Sequence, residues 1–448
     1  SKPQLQATVK YEGGRVVRFR SGGTVFPDPM AIAATNDPEL ATRAARASAA
    51  ELRFAGINLL LGPLLDVNSD PANPVIGTRA FGDDPARVAE FALAYLRGLR
   101  DGGLVAVGKH FPGHGGVDVD SHAALPVIPK DAAALWAQDL LPFRAAIAAG
   151  LPAVMTGHLA VPALDPSGAP ASLSPALTQD LLRGQLGFDG LILTDALEMG
   201  AIARNTAPNV AYERAVLAGN DMLLTRDPET ALAVQAALLE AVRAGRISPE
   251  RVAESARRVL IAKWHAGLFR SSEPGPEPDW AADQDLALEI ALKALTRFPP
   301  EAAGPISLPP GRILLITPDR LDTGSDTGDG YSLLGELLAE RGVDLREWRY
   351  DPTDGPGMQQ MALALSKRAE EFVAIVVITA GAYVDAQQYR ADGQPALARA
   401  ALASGVPTVI AAVREPYDRL LFPDAPVFLT TFGATPAQLR ALAEGLAP

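Results

Sequence analysis

The chain contains five histidines, and four of them, His110, His114, His122 and His158, fall between residues 110 and 158. Three lie in the segment KHFPGHGGVDVDSHAALP (109–126), where Asp120 stands two residues ahead of His122. An aspartate so close to a histidine can hold the imidazole in one tautomer and stabilise its protonated form, which suits a group that acts first as acid and then as base. A second candidate is Asp195, which closes an apolar run in GLILTDALEMGAI (190–202). A carboxylate at a strand end can attack an anomeric carbon and form a covalent glycosyl intermediate. The other reading of Asp195 is the N-cap of a helix over 196–203. For each histidine alone, the plain alternative is a satisfied polar residue near a strand end.

A metal site is the competing chemistry for the cluster, since His110 and His114 are spaced i, i+4. That spacing puts two ligands on one face only in a helix. Pro112, Gly113, Gly115 and Gly116 break any helix there, and no HxH pair occurs elsewhere. The expectation is acid/base and nucleophilic catalysis with no metal and no cofactor.

These residues need a scaffold that gathers them. Strand-like runs over residues 6–12, 57–67, 104–110, 153–159, 191–197 and 221–225 alternate with helical patterns over 38–55, 85–101, 130–149, 228–244 and 249–266. Such alternation implies parallel strands with right-handed crossovers. Lys10, Glu12, Asp66, Lys109, His110, His158 and Asp195 all fall at or near strand ends. Barrels collect their chemistry there, whereas a doubly wound sheet places ligands at one switch point, usually with a Gly-rich loop that is missing after the first strand here. The predicted fold is α/β: a (β/α)8 TIM-type barrel over 1–269, with its N-terminal part incomplete. A linker carrying one helix (280–297) covers 270–310. A smaller αβα-sandwich domain covers 311–448, with strands over 313–317, 345–350, 373–379, 406–413 and 427–431.

Composition narrows the partners. The chain has 448 residues, 48% hydrophobic and 21% charged, which is ordinary for a globular protein. With a net charge of -12 and no run of Lys or Arg, it is a poor match to nucleic acid or an anionic membrane. No apolar stretch reaches the roughly 18 residues of a membrane span. The absence of cysteine removes disulfides, thiolate nucleophiles and zinc–thiolate sites together. The first residues, SKPQLQATVKYEGG, lack a signal-peptide layout, so a cytoplasmic location is expected. The strand begins so early that an upstream segment can be missing.

With these segments in view, others become informative: EGGRVVRF (12–19), NPVIGTRAFGDDP (73–85), AVMTGHLAVPALD (153–165) and REPYDRLLFPDAP (414–426). Together they resemble glycoside hydrolase family 3, and within it the two-domain bacterial β-N-acetylglucosaminidases. The resemblance spans nearly the whole chain, and its KHFPGHG…DSH loop is specific to that branch. It implies that Asp195 is the nucleophile, His122 the acid/base and Asp120 its partner. It also implies that Lys109 and His110 bond the hydroxyls of the sugar in the cleaved subsite, with Arg79 and Arg18 lining the same subsite. The implied substrate is a small N-acetylglucosamine-containing glycoside, cleaved with retention, in particular a peptidoglycan-derived fragment.

One position departs from the pattern. Where the family usually reads DQEGG, this chain has Lys10-Tyr11-Glu12-Gly13-Gly14. The usual aspartate accepts bonds from hydroxyls on the far side of the sugar, whereas lysine has donors and no acceptor. Either Lys10 recognises something acidic, or the sugar is read less tightly, or this segment is altered in this chain. Phosphorolysis, β-glucosidase or β-xylosidase activity, and sugar binding without catalysis remain the alternatives.

Overall fold

Proline-started helices with side-chain caps set the frame. Asp84, Asp227 and Ser248 each accept a bond from the backbone N–H three residues on, at 2.8, 2.8 and 3.2 Å. Pro85, Pro228 and Pro249 then occupy the first helical position, where the missing N–H costs nothing. The helices so begun, Pro85–Asp101, Pro228–Arg243 and Pro249–His265, match the predicted spans. The structure is a computed structural model, and it describes residues 7–18, 22–269, 275–300, 306, 308–319 and 332–447. The start of the first predicted strand, Phe19 and much of the predicted linker lie outside the described residues.

The chain forms two compact units that interleave. The first comprises residues 1–11, 41–76 and 80–278, and the second 12–40, 77–79 and 279–448.

In the first unit, strands Thr8–Val9, Leu59–Leu60, Val105–Phe111, Ala153–Thr156 and Leu191–Thr194 form a parallel sheet in chain order. A bridge from Leu193 to Met222 extends it. An unreversed order of this kind is that of a TIM-type barrel. Among the described residues the barrel is open between Thr8–Val9 and Met222. Alternate positions, Leu59, Leu61, Val105, Val107, Ala153, Met155, Leu191 and Leu193, make one buried cluster with Ala262, Ala266 and Leu268.

Several strands are shorter than predicted. The run over 57–67 is interrupted after Leu60 because Pro63 has no N–H for the ladder, and pairing resumes only as a bridge from Leu64 to Lys109. The helix predicted over 130–149 appears as Ala132–Ala137 and Leu140–Ala148. It breaks at Asp139, whose buried carboxylate accepts bonds from Lys130 Nζ at 3.0 and 2.8 Å. Helices Pro38–Phe54 and Pro85–Asp101 approach closely through Gly98. A Cβ at Gly98 would overlap the Thr42 carbonyl oxygen and lie 2.7 Å from Ala45 Cβ.

The second unit contains a six-stranded sheet in the order Leu345–Tyr350, Ile313–Pro318, Ala374–Thr379, Thr408–Ala412, Phe428–Thr430 and Thr296–Phe298. All pair in parallel except Thr296–Phe298, which is antiparallel at the edge. Its four inner strands are buried on both faces because both are covered. Leu315, Val376, Ile378 and Ala411 pack on one side with Leu334, Leu338 and Leu442. Leu314, Ile316, Ile375, Val377 and Ile410 pack on the other with Leu365, Leu397 and Ala401. The result is an αβα sandwich. The predicted linker helix ends early, at Ala294, since Thr296–Phe298 continues as the edge strand.

Candidate active site

Asp195 lies just past strand Leu191–Thr194 and is only 5% exposed. Its N–H donates to the Thr156 carbonyl at 3.0 Å, which ties it to the end of the neighbouring strand. Its Oδ1 accepts from the N–H of Ala196 at 2.8 Å. An N-cap would reach two or three residues on, and the helix here is Gly200–Ala203, capped at Met199. The N-cap reading of Asp195 is therefore wrong, and its carboxylate is held for another purpose.

Three basic side chains act on that carboxylate. Lys10 Nζ stands 4.0 Å from Oδ1 and His110 Nε2 3.9 Å from Oδ2. Burial alone would raise the Asp195 carboxyl, but Lys10, His110 and His158 outweigh it and hold the group well below the usual carboxylate range. Asp195 is thus an ionised, desolvated carboxylate at a barrel strand end. His158 is buried and fixed, with Nδ1 bonded to Ser172 Oγ at 2.8 Å and Nε2 to the Ala196 carbonyl at 2.9 Å. Burial pushes the His158 pKa down, against the pull of Asp195.

Behind His110 lies a residue that sequence reasoning placed at a strand end but gave no role. Asp66, fully buried, accepts from His110 Nδ1 at 2.8 Å and from the backbone N–H groups of His110 and His114 at 3.0 and 2.7 Å. Desolvation raises its carboxyl, but the His110 charge and these bonds prevail and lower it. Because Nδ1 carries the proton shared with Asp66, Nε2 is the nitrogen left to face Asp195. The tight Lys109–Gly116 turn makes this possible. A Cβ at Gly115 would overlap the Val67 carbonyl.

The acid/base candidates sit on the loop that follows. His122 Nδ1 bonds Asp120 Oδ1 at 2.8 Å, and the same oxygen accepts the His122 backbone N–H at 2.7 Å. Partial burial raises the Asp120 carboxyl, yet the bonds to His122 more than offset it and lower the group. The imidazole is 52% exposed, so its Nε2 side is open to a ligand. Two contacts fix the loop. Ser121, between the pair, bonds His114 Nε2 at 2.9 Å. The carbonyls of Ser121 and His122 accept the first N–H groups of helix Gly200–Ala203, each at 3.1 Å. That helix begins five residues after Asp195, and His122 is among the charges that act on His158.

The remaining predicted residues fall elsewhere. Lys109 is fully buried on the strand that bears His110, and its carbonyl accepts from Leu65 N–H at 2.7 Å. Arg79 and Arg18 belong to the second unit. Arg79 is buried there in a two-pronged bond with Glu12, at 2.7 and 2.9 Å, while Arg18 is exposed. His110 Nδ1 is bonded to Asp66 and His114 Nε2 to Ser121. Among the described residues no three His, Asp or Glu side chains are grouped to hold a metal ion. Asp66, His114 and His158 were given no role in the predicted site. The signal for the two histidines was their place in the cluster between residues 110 and 158, and for Asp66 a polar residue at an apolar strand end.

A TIM-type barrel with an ionised strand-end carboxylate and a loop-borne His–Asp pair is an arrangement that can support nucleophilic and acid/base chemistry. Comparison with known proteins makes the reading particular. Residues 2–262 match the glycosyl hydrolase family 3 N-terminal domain. A β-hexosaminidase of Stenotrophomonas maltophilia is 43% identical over 236 residues, covering 51% of this chain and 68% of the relative. A solved glycoside hydrolase family 3 β-N-acetylglucosaminidase from Paenibacillus sp. strain FPU-7 superposes with a TM-score of 0.89 at 34% identity, over 99% of this chain and 84% of that one. A β-glucoside phosphorylase superposes with a TM-score of 0.81 at 25% identity, over 100% of this chain and 82% of that one. The chain belongs to glycoside hydrolase family 3.

Proposed function

We propose that the protein is a retaining β-N-acetylhexosaminidase that removes terminal β-linked N-acetylglucosamine, with peptidoglycan-derived fragments as the natural source. The observation that carries this reading is the state of Asp195: buried, ionised and aimed away from any capping role, in a chain whose relatives include β-hexosaminidases. In the first step the Asp195 carboxylate attacks the anomeric carbon, and the departing aglycone oxygen takes the proton from His122 Nε2. Asp120 keeps the other ring nitrogen engaged and steadies the imidazolium before transfer. In the second step His122 accepts a proton from water, the water oxygen bonds the anomeric carbon, and Asp195 is released. Two inversions give retention. His110, oriented by Asp66, and Lys109 are assigned to hydroxyls of the sugar. Sugar binding by Arg79 and Arg18 is part of the same proposal and rests on the family resemblance.

A 2-acetamido-2-deoxy-5-fluoro glycoside tests the reading by trapping the intermediate. Mass analysis should place the adduct on the peptide containing Asp195, and labelling elsewhere would sink the mechanism. Asp195→Asn should lower kcat at least about a thousandfold. His122→Ala should lose roughly 10²–10⁴-fold on glycosides with poor leaving groups and far less on activated ones. The likeness to a phosphorylase supports a variant in which phosphate replaces water in the second step. Product analysis with and without phosphate separates the two.

A further inference from the structure

Lys10 has no part in the chemistry just described, yet it stands beside its central residue. It follows strand Thr8–Val9 and places Nζ 4.0 Å from Asp195 Oδ1, with its side chain 32% exposed. That separation is too long for a hydrogen bond, so the ammonium pairs by charge and keeps its N–H donors available to another acceptor. For a neutral sugar this cation is badly placed. Positive charge develops at the anomeric carbon in the transition state, and a fixed ammonium opposes it while stabilising the resting anion of Asp195. A substrate that brings its own anion reverses both effects. It takes up the ammonium, cancels its field at the reacting carbon and leaves Asp195 free to attack.

Such an anion has few places on the sugar from which to reach Lys10. On one side of the anomeric carbon, C2 carries the uncharged acetamido group. On the other, across the ring oxygen, C5 bears an exocyclic carbon that is a hydroxymethyl in a neutral sugar and a carboxylate in a sugar acid. We propose that Lys10 is a specificity-determining residue, selecting glycosides whose cleaved sugar is a sugar acid with its carboxylate on C5 over their neutral counterparts. This rests on the glycosidase mechanism above and departs from it in the sugar, setting the uronic acid in place of neutral N-acetylglucosamine.

The test compares 4-nitrophenyl β-glycosides of 2-acetamido-2-deoxyglucose and of the corresponding uronic acid, which differ only at C6. Wild type should favour the acid in kcat/KM by about tenfold or more. Lys10→Arg should keep that preference, and Lys10→Met should abolish it. The proposal is overturned if wild type prefers the neutral glycoside. It is also overturned if Lys10→Met slows both alike, or if the substitution alters only the response to added phosphate. Should wild type turn over neither glycoside, calorimetry with the two free sugars decides. Tighter binding of the acid, lost in Lys10→Met, upholds the role of Lys10 while the hydrolase reading falls. Equal binding of the two sugars overturns it.

Discussion

Asp66→Asn changes almost no volume and nearly every electrostatic property of the site's inner wall. The Asp66 carboxylate takes one bond on Oδ2, from His110 Nδ1 at 2.8 Å, and two on Oδ1, from the backbone N–H groups of His110 and His114 at 3.0 and 2.7 Å. The asparagine oxygen can still accept both backbone bonds, but its nitrogen is a donor. His110 Nδ1 must then become the acceptor, and the ring proton moves to Nε2, the atom 3.9 Å from Asp195 Oδ2. The number of bonds is kept while the tautomer is inverted. A hydrogen bond to a charged group contributes about 1.5–3 kcal/mol and a neutral one about 0.5–1.5, so three bonds lose roughly 3 kcal/mol between them. Relief of burying a charge offsets part of this, leaving a net loss of about 1–3 kcal/mol. In a unit this large, that lowers Tm by roughly 2–10 °C.

The kinetic effect should be larger than the thermal one. Asp66 no longer supports a protonated imidazole beside the nucleophile, and kcat/KM for 4-nitrophenyl N-acetylglucosaminide should fall about a hundredfold, chiefly in kcat. Asp66→Ala, which strands two buried backbone donors, should cost about 1–3 kcal/mol for each of them. Because the folded Asp66 carboxyl lies below its ordinary value, it contributes stability above about pH 4 and loses it as pH falls through the folded value. The stability gap between wild type and Asp66→Asn should therefore narrow in acid. An Asp66→Asn protein with wild-type kcat/KM and Tm at neutral pH would refute the tautomer argument.

Two further substitutions probe other parts of the fold. A Cβ at Gly200 would lie 2.5 Å from the His122 carbonyl oxygen and 2.8 Å from that of Ala123, so Gly200→Ala must push the acid/base loop. Hydrolysis of glycosides with poor leaving groups should drop about 10- to 100-fold. Trapping of Asp195 by an activated fluoro glycoside should change little, and equal losses in both assays would contradict a loop-specific effect. In the second unit, burial pushes the Asp418 carboxyl up to about 7, against the N–H of Tyr383 that it accepts at 2.8 Å. An unfolded aspartate titrates near 4, so between about pH 4 and 7 the folded chain holds the extra proton and stability falls as pH rises. Asp418→Asn should flatten that slope and be the more stable protein at pH 8, by on the order of 2 kcal/mol, in denaturant titrations. An unchanged slope would show that Asp418 is not the group responsible.

Local chemistry was legible from the chain alone. The capped starts at Asp84, Asp227 and Ser248 need only side chains within a few residues of one another, and those helices appear where the pattern puts them. The apolar strands at 313–318 and 374–379 announce burial on both faces. Asp120 and His122 are two residues apart, so their bond follows from proximity. Asp195 could be located at a strand end, but residue type and position alone left cap and nucleophile both open, and only the family resemblance favoured the nucleophile.

The charges that set the state of Asp195 came from distant chain. His110 and His158 reach it from the ends of the two preceding strands, and Lys10 from the end of the first strand of the same sheet. Asp66 orients His110 in the same way, since its strand precedes that of His110 in the sheet. The interleaving of residues 12–40 and 77–79 with the second unit left no mark in composition, as these segments are bound by packing and not by a local pattern. Sequence alone therefore determined which groups were available and the local backbone that carries them. Their protonation and pairing were decided by strand order and burial, which are properties of the whole fold and belong to no segment taken singly.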